Sequence, residues 1–248
     1  MSDEMIDHDT WNYSPPKLSK MPNVEVGHVS GLLPFDGVRN PGARSSKSHK
    51  IWFPYRTPAN PWKPRLGICE SAAEAAVAFD LLISPNTYDV RFQPLTVEFE
   101  LDGKNRKYTH DLLVSYKCGS RQLIFVRNEE SLKKPKTQRE IDAICEATAP
   151  GAADTLLVVN ASVYTRQRRE NLFRMHYLLQ ESDPEADELV LKAAESLKTL
   201  WQMKDIFAEV DLPQRRAFRS CYRLVARKKL LANLDHVLLE TSRVKVAA

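Results

Sequence analysis

Two glutamates, Glu70 and Glu74, stand four residues apart in ESAAEAAVAFDLLI, and an aspartate, Asp111, sits at the head of the run HDLLV. Carboxylates of this kind are hard oxygen ligands for Mg²⁺. When two or three converge they support metal-dependent phosphodiester hydrolysis, usually with a lysine that orients or deprotonates the attacking water. In one common arrangement a helix supplies a glutamate and one strand an aspartate. The next strand then supplies an acid and a lysine at i and i+2, a spacing that puts both on one strand face. The first half of that arrangement is here. Glu70 and Glu74 share a face of the predicted helix, with solvent-exposed helix glutamates as the plain alternative. Asp111 precedes an apolar run although aspartate is depleted in strands; a turn or cap role is its alternative.

The second half is altered. The following run, QLIFVRNEE, carries Phe125-Val126-Arg127 where the acid and the lysine would stand. Phe125 has no atom that binds a metal. Arg127 keeps a positive charge but cannot serve as a base, and its guanidinium suits two-pronged contact with a phosphate. Glu129 is two residues further on and shares the face of Arg127, but it and Glu130 fall past the predicted end of the strand.

The elements that would position these residues follow from pattern. Residues 70–83 are alanine-rich and predict a helix, ended by Ser84-Pro85-Asn86. Strand-like runs follow at Tyr88–Phe92, Leu95–Leu101, Tyr108–Ser115 and Gln122–Arg127, with turns at Asp102-Gly103 and Lys117–Ser120. A helix over Thr137–Ala149 and a short buried strand, Thr155–Asn160, complete an α/β sheet with helices against it. From Thr165 onward the pattern is helical: Arg166–Gln180, then 184–202, a short helix over Lys204–Val210, and Pro213–Lys229. Ser182 and Glu185 are spaced as a capping box, with Pro184 in the first turn, and Leu197, Leu200 and Trp201 are assigned to the inner face. Two short apolar runs, Leu230–Leu234 and Arg243–Val246, end the chain. Three helices followed by two short strands is the order of a winged helix. The expected organisation is an irregular arm over 1–34, an α/β unit over 35–165 and a helical unit over 166–248.

The charge is uneven on a chain of net charge +4. Residues 39–65 hold seven Lys/Arg and no acid, and residues 201–248 hold ten Lys/Arg against five Asp/Glu. Such zones suggest directed basic patches, with a solvated surface as the alternative. The first zone holds five prolines from Pro41 to Pro64, with Trp52, Phe53, Tyr55 and Trp62 interleaved with Lys47, Lys50, Arg56, Lys63 and Arg65; Arg44, Lys47, Lys50 and Arg56 are its candidate DNA contacts. Aromatics interleaved with cations can lie along a nucleic acid, or the segment can be a strap whose aromatics cover the core. In the second zone Arg215, Arg219, Arg223 and Arg227 recur every fourth residue and form a stripe on one predicted helix. The stripe is a candidate DNA-binding face.

The four cysteines, Cys69, Cys118, Cys145 and Cys221, are scattered, with no CxxC pair. They read as reduced thiols of a cytoplasmic protein. No apolar run reaches 18 residues, so no membrane span is expected, and the acidic start MSDEMIDHDT does not read as a signal peptide.

The order ESAAE, VRFQP (Val90–Pro94), YTHDLLV (Tyr108–Val114) and TLLVVN…RRENL (Thr155–Leu172) resembles the N-terminal domain of TnsA-type transposon endonucleases, over roughly residues 40–175. Residues 184–246 resemble the C-terminal domain of that family more loosely. The resemblance implies a restriction-endonuclease-like PD-(D/E)XK fold. It implies Glu74 as the helical catalytic glutamate, with Glu70 as its substitute, and Asp111 as a metal-binding aspartate. Gln93 matches a glutamine of structural or supporting role. His110 stands where a proline is usual, and Phe125 and Arg127 depart from the acid-x-lysine pattern. The implied cofactor is Mg²⁺ if the site is active. The implied partners are double-stranded DNA and, through the C-terminal unit, transposition or recombination proteins. Three readings follow: a nucleoid-associated DNA-binding protein with a decayed metal site, a divalent-metal endonuclease, or a subunit that docks a transposition partner.

Overall fold

The structure is a computed structural model that describes residues 26–42 and 50–247. Most of the predicted N-terminal arm, together with Arg44 and Lys47, lies outside the described residues.

The centre is a four-stranded mixed sheet in the order β3-β6-β7-β8. Strands β3 (Thr87–Phe92), β6 (Leu112–Tyr116) and β7 (Arg121–Arg127) run antiparallel, and β8 (Thr155–Asn160) lies parallel to β7. Alternating side chains divide the strands between two faces. Val90, Phe92, Leu112, Val114, Ile124 and Val126 pack under α1 (Ala72–Ile83). Phe125 faces the other way, where α3 (Pro135–Ala147) and the hairpin of β4 (Thr96–Leu101) and β5 (Lys104–Thr109) cover it. Asp102 and Gly103 take φ of 54° and 68°, the left-handed pair that a two-residue hairpin turn requires.

Several expectations are corrected. The run Tyr108–Ser115 is two strands: β5 stops at Thr109, and His110 and Asp111 form the break before β6. The helix predicted from residue 70 starts at Ala72, because the Ser71 side chain caps it by accepting from the Glu74 N–H at 3.2 Å. Glu70 is therefore not a helix residue. Thr155–Asn160 is a half-exposed edge strand and not a buried one. Glu129 and Glu130 enter an unpredicted turn of helix, α2 (Glu129–Leu132), where both pair with Lys133 and turn away from Asp111. The segment expected as a strap folds into a hairpin of β1 (Ile51–Tyr55) and β2 (Arg65–Cys69). Its Phe53 and Tyr55 are buried against Phe79 and Phe92, so these aromatics cover the core.

Helix α4 (Arg166–Leu179) is followed by α5 (Pro184–Ser196), α6 (Met203–Phe207) and α7 (Gln214–Ala226). The α5 cap is Asp183, which accepts from the Ala186 N–H at 3.3 Å, in place of the expected Ser182–Glu185 box. The helix ends at Ser196, which leaves Trp201 60% exposed where an inward side chain was expected. Gln202 bridges to Arg243, beside the antiparallel pair β9 (Leu230–Ala232) and β10 (Val244–Val246). The boundary expected at 165/166 is not a seam. On α4, Leu172 packs into the sheet's core while Met175 and Leu178 pack with α5 and α7. The His176 ring stacks on Phe79 and bonds the Pro54 carbonyl at 2.9 Å. Among the described residues no helix is long and apolar enough to cross a membrane.

Candidate functional site

Three local facts bring the candidate acids together. The Ser71 cap turns Glu74 back over the start of α1, where its Oε2 accepts from the Glu70 N–H at 2.8 Å. The β5–β6 break places Asp111 at the mouth of the sheet, and its Oδ2 accepts from the Val126 N–H at 2.8 Å and from the Tyr108 hydroxyl at 3.1 Å. Between them sits Gln93, held at a left-handed φ of 50°. Gln93 donates its N–H to the Asp111 carbonyl at 3.0 Å, and its own carbonyl accepts from the Val38 N–H at 2.9 Å.

The antiparallel register explains what happened to the missing half of the metal-binding pattern. Leu112 pairs with Ile124, and continuing that register by one residue sets Phe125 opposite Asp111. Two residues along the same face, the Arg127 guanidinium lies over the Phe125 ring at 4.0 Å and near the Tyr108 ring at 5.4 Å. Its NH1 reaches Asp111 Oδ2 at 3.7 Å. An aromatic thus fills the place of a third oxygen donor, and a fixed cation stands over it.

Two further cations enter from the basic segment. Arg39 bonds Gln93 Oε1 at 2.7 Å and Glu70 Oε1 at 2.8 Å, and Lys50 Nζ is 3.7 Å from the same Glu70 oxygen. Arg39, Lys107 and Arg127, with Glu70 and Asp111, line an open cleft of about 490 Å³. Arg39 was not singled out in the sequence. Its count in a basic zone was visible, but its partners are 31 and 54 residues away along the chain.

Burial governs the electrostatics. Glu74 is 3% exposed. Loss of water, and then the neighbouring charge of Asp111, push its carboxyl well above the usual glutamate range. Burial raises Asp111 to about 6 even though Arg127 and the Val126 N–H pull it down. Burial lowers His110 to about 4; its Nε2 meets Thr148 Oγ1 at 3.1 Å. Glu74 Oε1, Gln93 Nε2 and His110 Nδ1 are buried without a hydrogen-bond partner within the protein. Such atoms are rare in folded proteins, and these three belong to residues that flank Asp111.

The donor set does not fit a three-carboxylate metal centre. Glu74 and Asp111 are the pair that would touch the ion. Glu70 is committed to Arg39 and Lys50, Phe125 supplies no donor, and Arg127 places positive charge beside Asp111. Among the described residues no three His, Cys, Asp or Glu side chains are grouped to hold a metal ion.

The C-terminal stripe is corrected. Arg223 is 2% exposed and is held by Asp187, at 2.8 Å from Nε and 2.6 Å from NH2. Arg227 also pairs with Asp187, Arg219 with Glu181, and Arg216 with Asp183 and Glu185. The repeat marks the face of α7 that meets the acids of α5 and the turn before it. Arg215 stays exposed at the start of α7. Arg56 bonds Gln180 Oε1 at 3.0 Å and does not line the carboxylate cleft. No protein-family model matches this chain, and no curated protein matches it.

Proposed function

We propose that this protein binds double-stranded DNA on an endonuclease-like scaffold whose metal site has become a phosphate site. We assign it to transposition, recombination or transcriptional control, as the TnsA resemblance implies. The observation that carries the reading is Arg127: a guanidinium braced on Phe125 and Tyr108, aimed at Asp111 and open to the same cleft as Arg39 and Lys107. In such a cleft a phosphate oxygen competes with Glu70 and Asp111 for guanidiniums that are already oriented, which reduces the ordering cost of binding. Phosphate contact from three cations predicts that log Kobs falls by about 3 per tenfold rise in salt. Mg²⁺ is not needed for it.

Support for a second contact comes from the helix–bridge–helix–helix–hairpin order of residues 184–246, which fits a winged helix. Arg215, Lys228 and Lys229 are exposed at the two ends of α7 and are the cations this contact would use. Exposed Trp201 and Leu239 favour a protein partner for the same unit.

The test uses supercoiled plasmid with Mg²⁺, Mn²⁺ or EDTA, beside Asp111→Ala. The expected result is no nicking and a gel shift that persists in EDTA. Metal-dependent nicking that Asp111→Ala abolishes would replace this reading with that of an active endonuclease.

A further inference from the structure

A second groove lies where the two cores meet, at the C-terminal end of α1, whose first turn carries Glu74. It encloses about 370 Å³, and Arg56, Trp62, Lys117 and Arg227 line it, with no acidic residue in its wall. Its cations come from three separate places: the end of the β1 hairpin strand, the β6–β7 turn and the end of α7. Two of the side chains are held: Arg56 bonds Gln180 and Arg227 is anchored by Asp187, while the backbone of exposed Lys117 is fixed by its N–H donating to the Asn86 carbonyl at 2.9 Å.

Trp62 is the most solvent-exposed aromatic in the wall, at 62%. It stands on a compact turn that the protein secures at several points. Thr57 N–H donates to Asn60 Oδ1 at 3.2 Å, and Trp62 N–H donates to the Thr57 carbonyl at 3.1 Å. Thr57 Oγ1 reaches Asp89 at 3.0 Å, and Ala59 N–H reaches the Tyr88 carbonyl at 3.3 Å. These bonds spend buried polar groups on fixing the stem of a side chain that packs little itself. An exposed indole that shares a groove with three cations fits a base that stacks on the ring and phosphates that sit among the charges.

We infer that this groove binds single-stranded DNA, with one base on Trp62 and flanking phosphates on Arg56, Lys117 and Arg227. The site is separate from the carboxylate cleft and does not rest on the reading of that cleft.

The full chain is titrated with a fluorescein-labelled dT12 strand, with the blunt duplex of the same length, and with dTMP. Trp62→Ala is expected to weaken dT12 binding roughly 10-fold or more and Trp62→Phe to retain most of it, since the ring face does the stacking. Lys117→Glu is expected to weaken it comparably. Three phosphate contacts on a single strand predict a log–log salt slope of about −2. Trp62→Ala should weaken dT12 binding more than duplex binding and Arg127→Ala should do the reverse, so the failure of either site is read separately. Both groove positions are exposed, and unchanged melting temperatures verify that the variants fold. The inference is overturned if Trp62→Ala and Lys117→Glu leave dT12 affinity unchanged. It is also overturned if Trp62→Ala weakens duplex binding as much as dT12 binding, or if dTMP alone binds as tightly as the strand.

Discussion

Two buried acids, Asp111 and Asp187, face arginines in this molecule, and they are treated in opposite ways. Asp187 is met by Arg223 along two bonds, by Arg227, and by Ser220 Oγ at 2.8 Å. Arg223 is buried with it, its Nε donating to both Asp187 oxygens at 2.8 and 3.1 Å. Asp111 has one cation, at 3.7 Å, and a second buried carboxyl, Glu74, as a neighbour. The first arrangement joins α7 to α5. The second leaves charge and hydrogen-bonding capacity unspent at the edge of a cleft, which proteins do at sites that bind or react. Burial of an ion by itself therefore says little; the two acids differ in how many cations answer them.

The largest expected effect tests the structural half. Asp187→Ala strands a buried guanidinium and should cost about 3–5 kcal/mol, a drop in melting temperature of roughly 10 °C for a chain of this size. A loss of less than about 1 kcal/mol would break the comparison.

The next tests the Asp111 side of the comparison and has the opposite sign. Folding raises Asp111 from 3.8 to about 6, so the folded state binds the proton more tightly than the unfolded one. Stability therefore falls as pH rises through that interval, and the penalty is complete above it. Two units correspond to about 3 kcal/mol. Asp111→Asn removes that penalty and should raise stability by about 1–3 kcal/mol at pH 7.5, with little change at pH 4. Glu74→Gln should act in the same direction. Denaturant melts at both pH values decide it, and equal effects at both would sink the idea.

A smaller effect concerns binding. Arg127→Ala should lower duplex affinity several-fold and reduce the magnitude of the salt slope by about 1, while Arg216→Ala should leave both unchanged. Arg216 sits in an exposed pair with Asp183 and Glu185, so its loss should move the melting temperature by no more than about 2 °C.

The smallest signal is spectroscopic. His110 should titrate near pH 4 by NMR because burial disfavours its charged form. Its contribution to stability is present above the unfolded value of about 6.5 and is lost as pH falls toward 4, against the slope of Asp111. A midpoint near 6.5 would place His110 in water.

What could be read from the chain follows the range of the interactions. The strands on either side of Asp111 and their turns were legible because hairpin chemistry is local, but the break at His110 and Asp111 was not, because an apolar run does not report where pairing stops. The start of α1 was misjudged by two residues because an alanine run reports propensity but not which hydroxyl caps it. The arginine repeat was read as an outward stripe because periodicity identifies a face without saying what covers it. Its partner Asp187 is 36 residues from Arg223, and nothing in either segment names the other. Arg39 escaped for the same reason.

Helix α4 carries a consequence for how the chain comes apart. Its Leu172 belongs to one core and its Met175 and Leu178 to the other, within a single turn or two of backbone. Neither half can lose its packing without stripping a face from the rod they share. Heat should therefore melt the protein in one calorimetric step, with the van't Hoff and calorimetric enthalpies in agreement. A fragment ending at residue 165 should expose the underside of α1 and aggregate, whereas one ending at 180 keeps that surface covered.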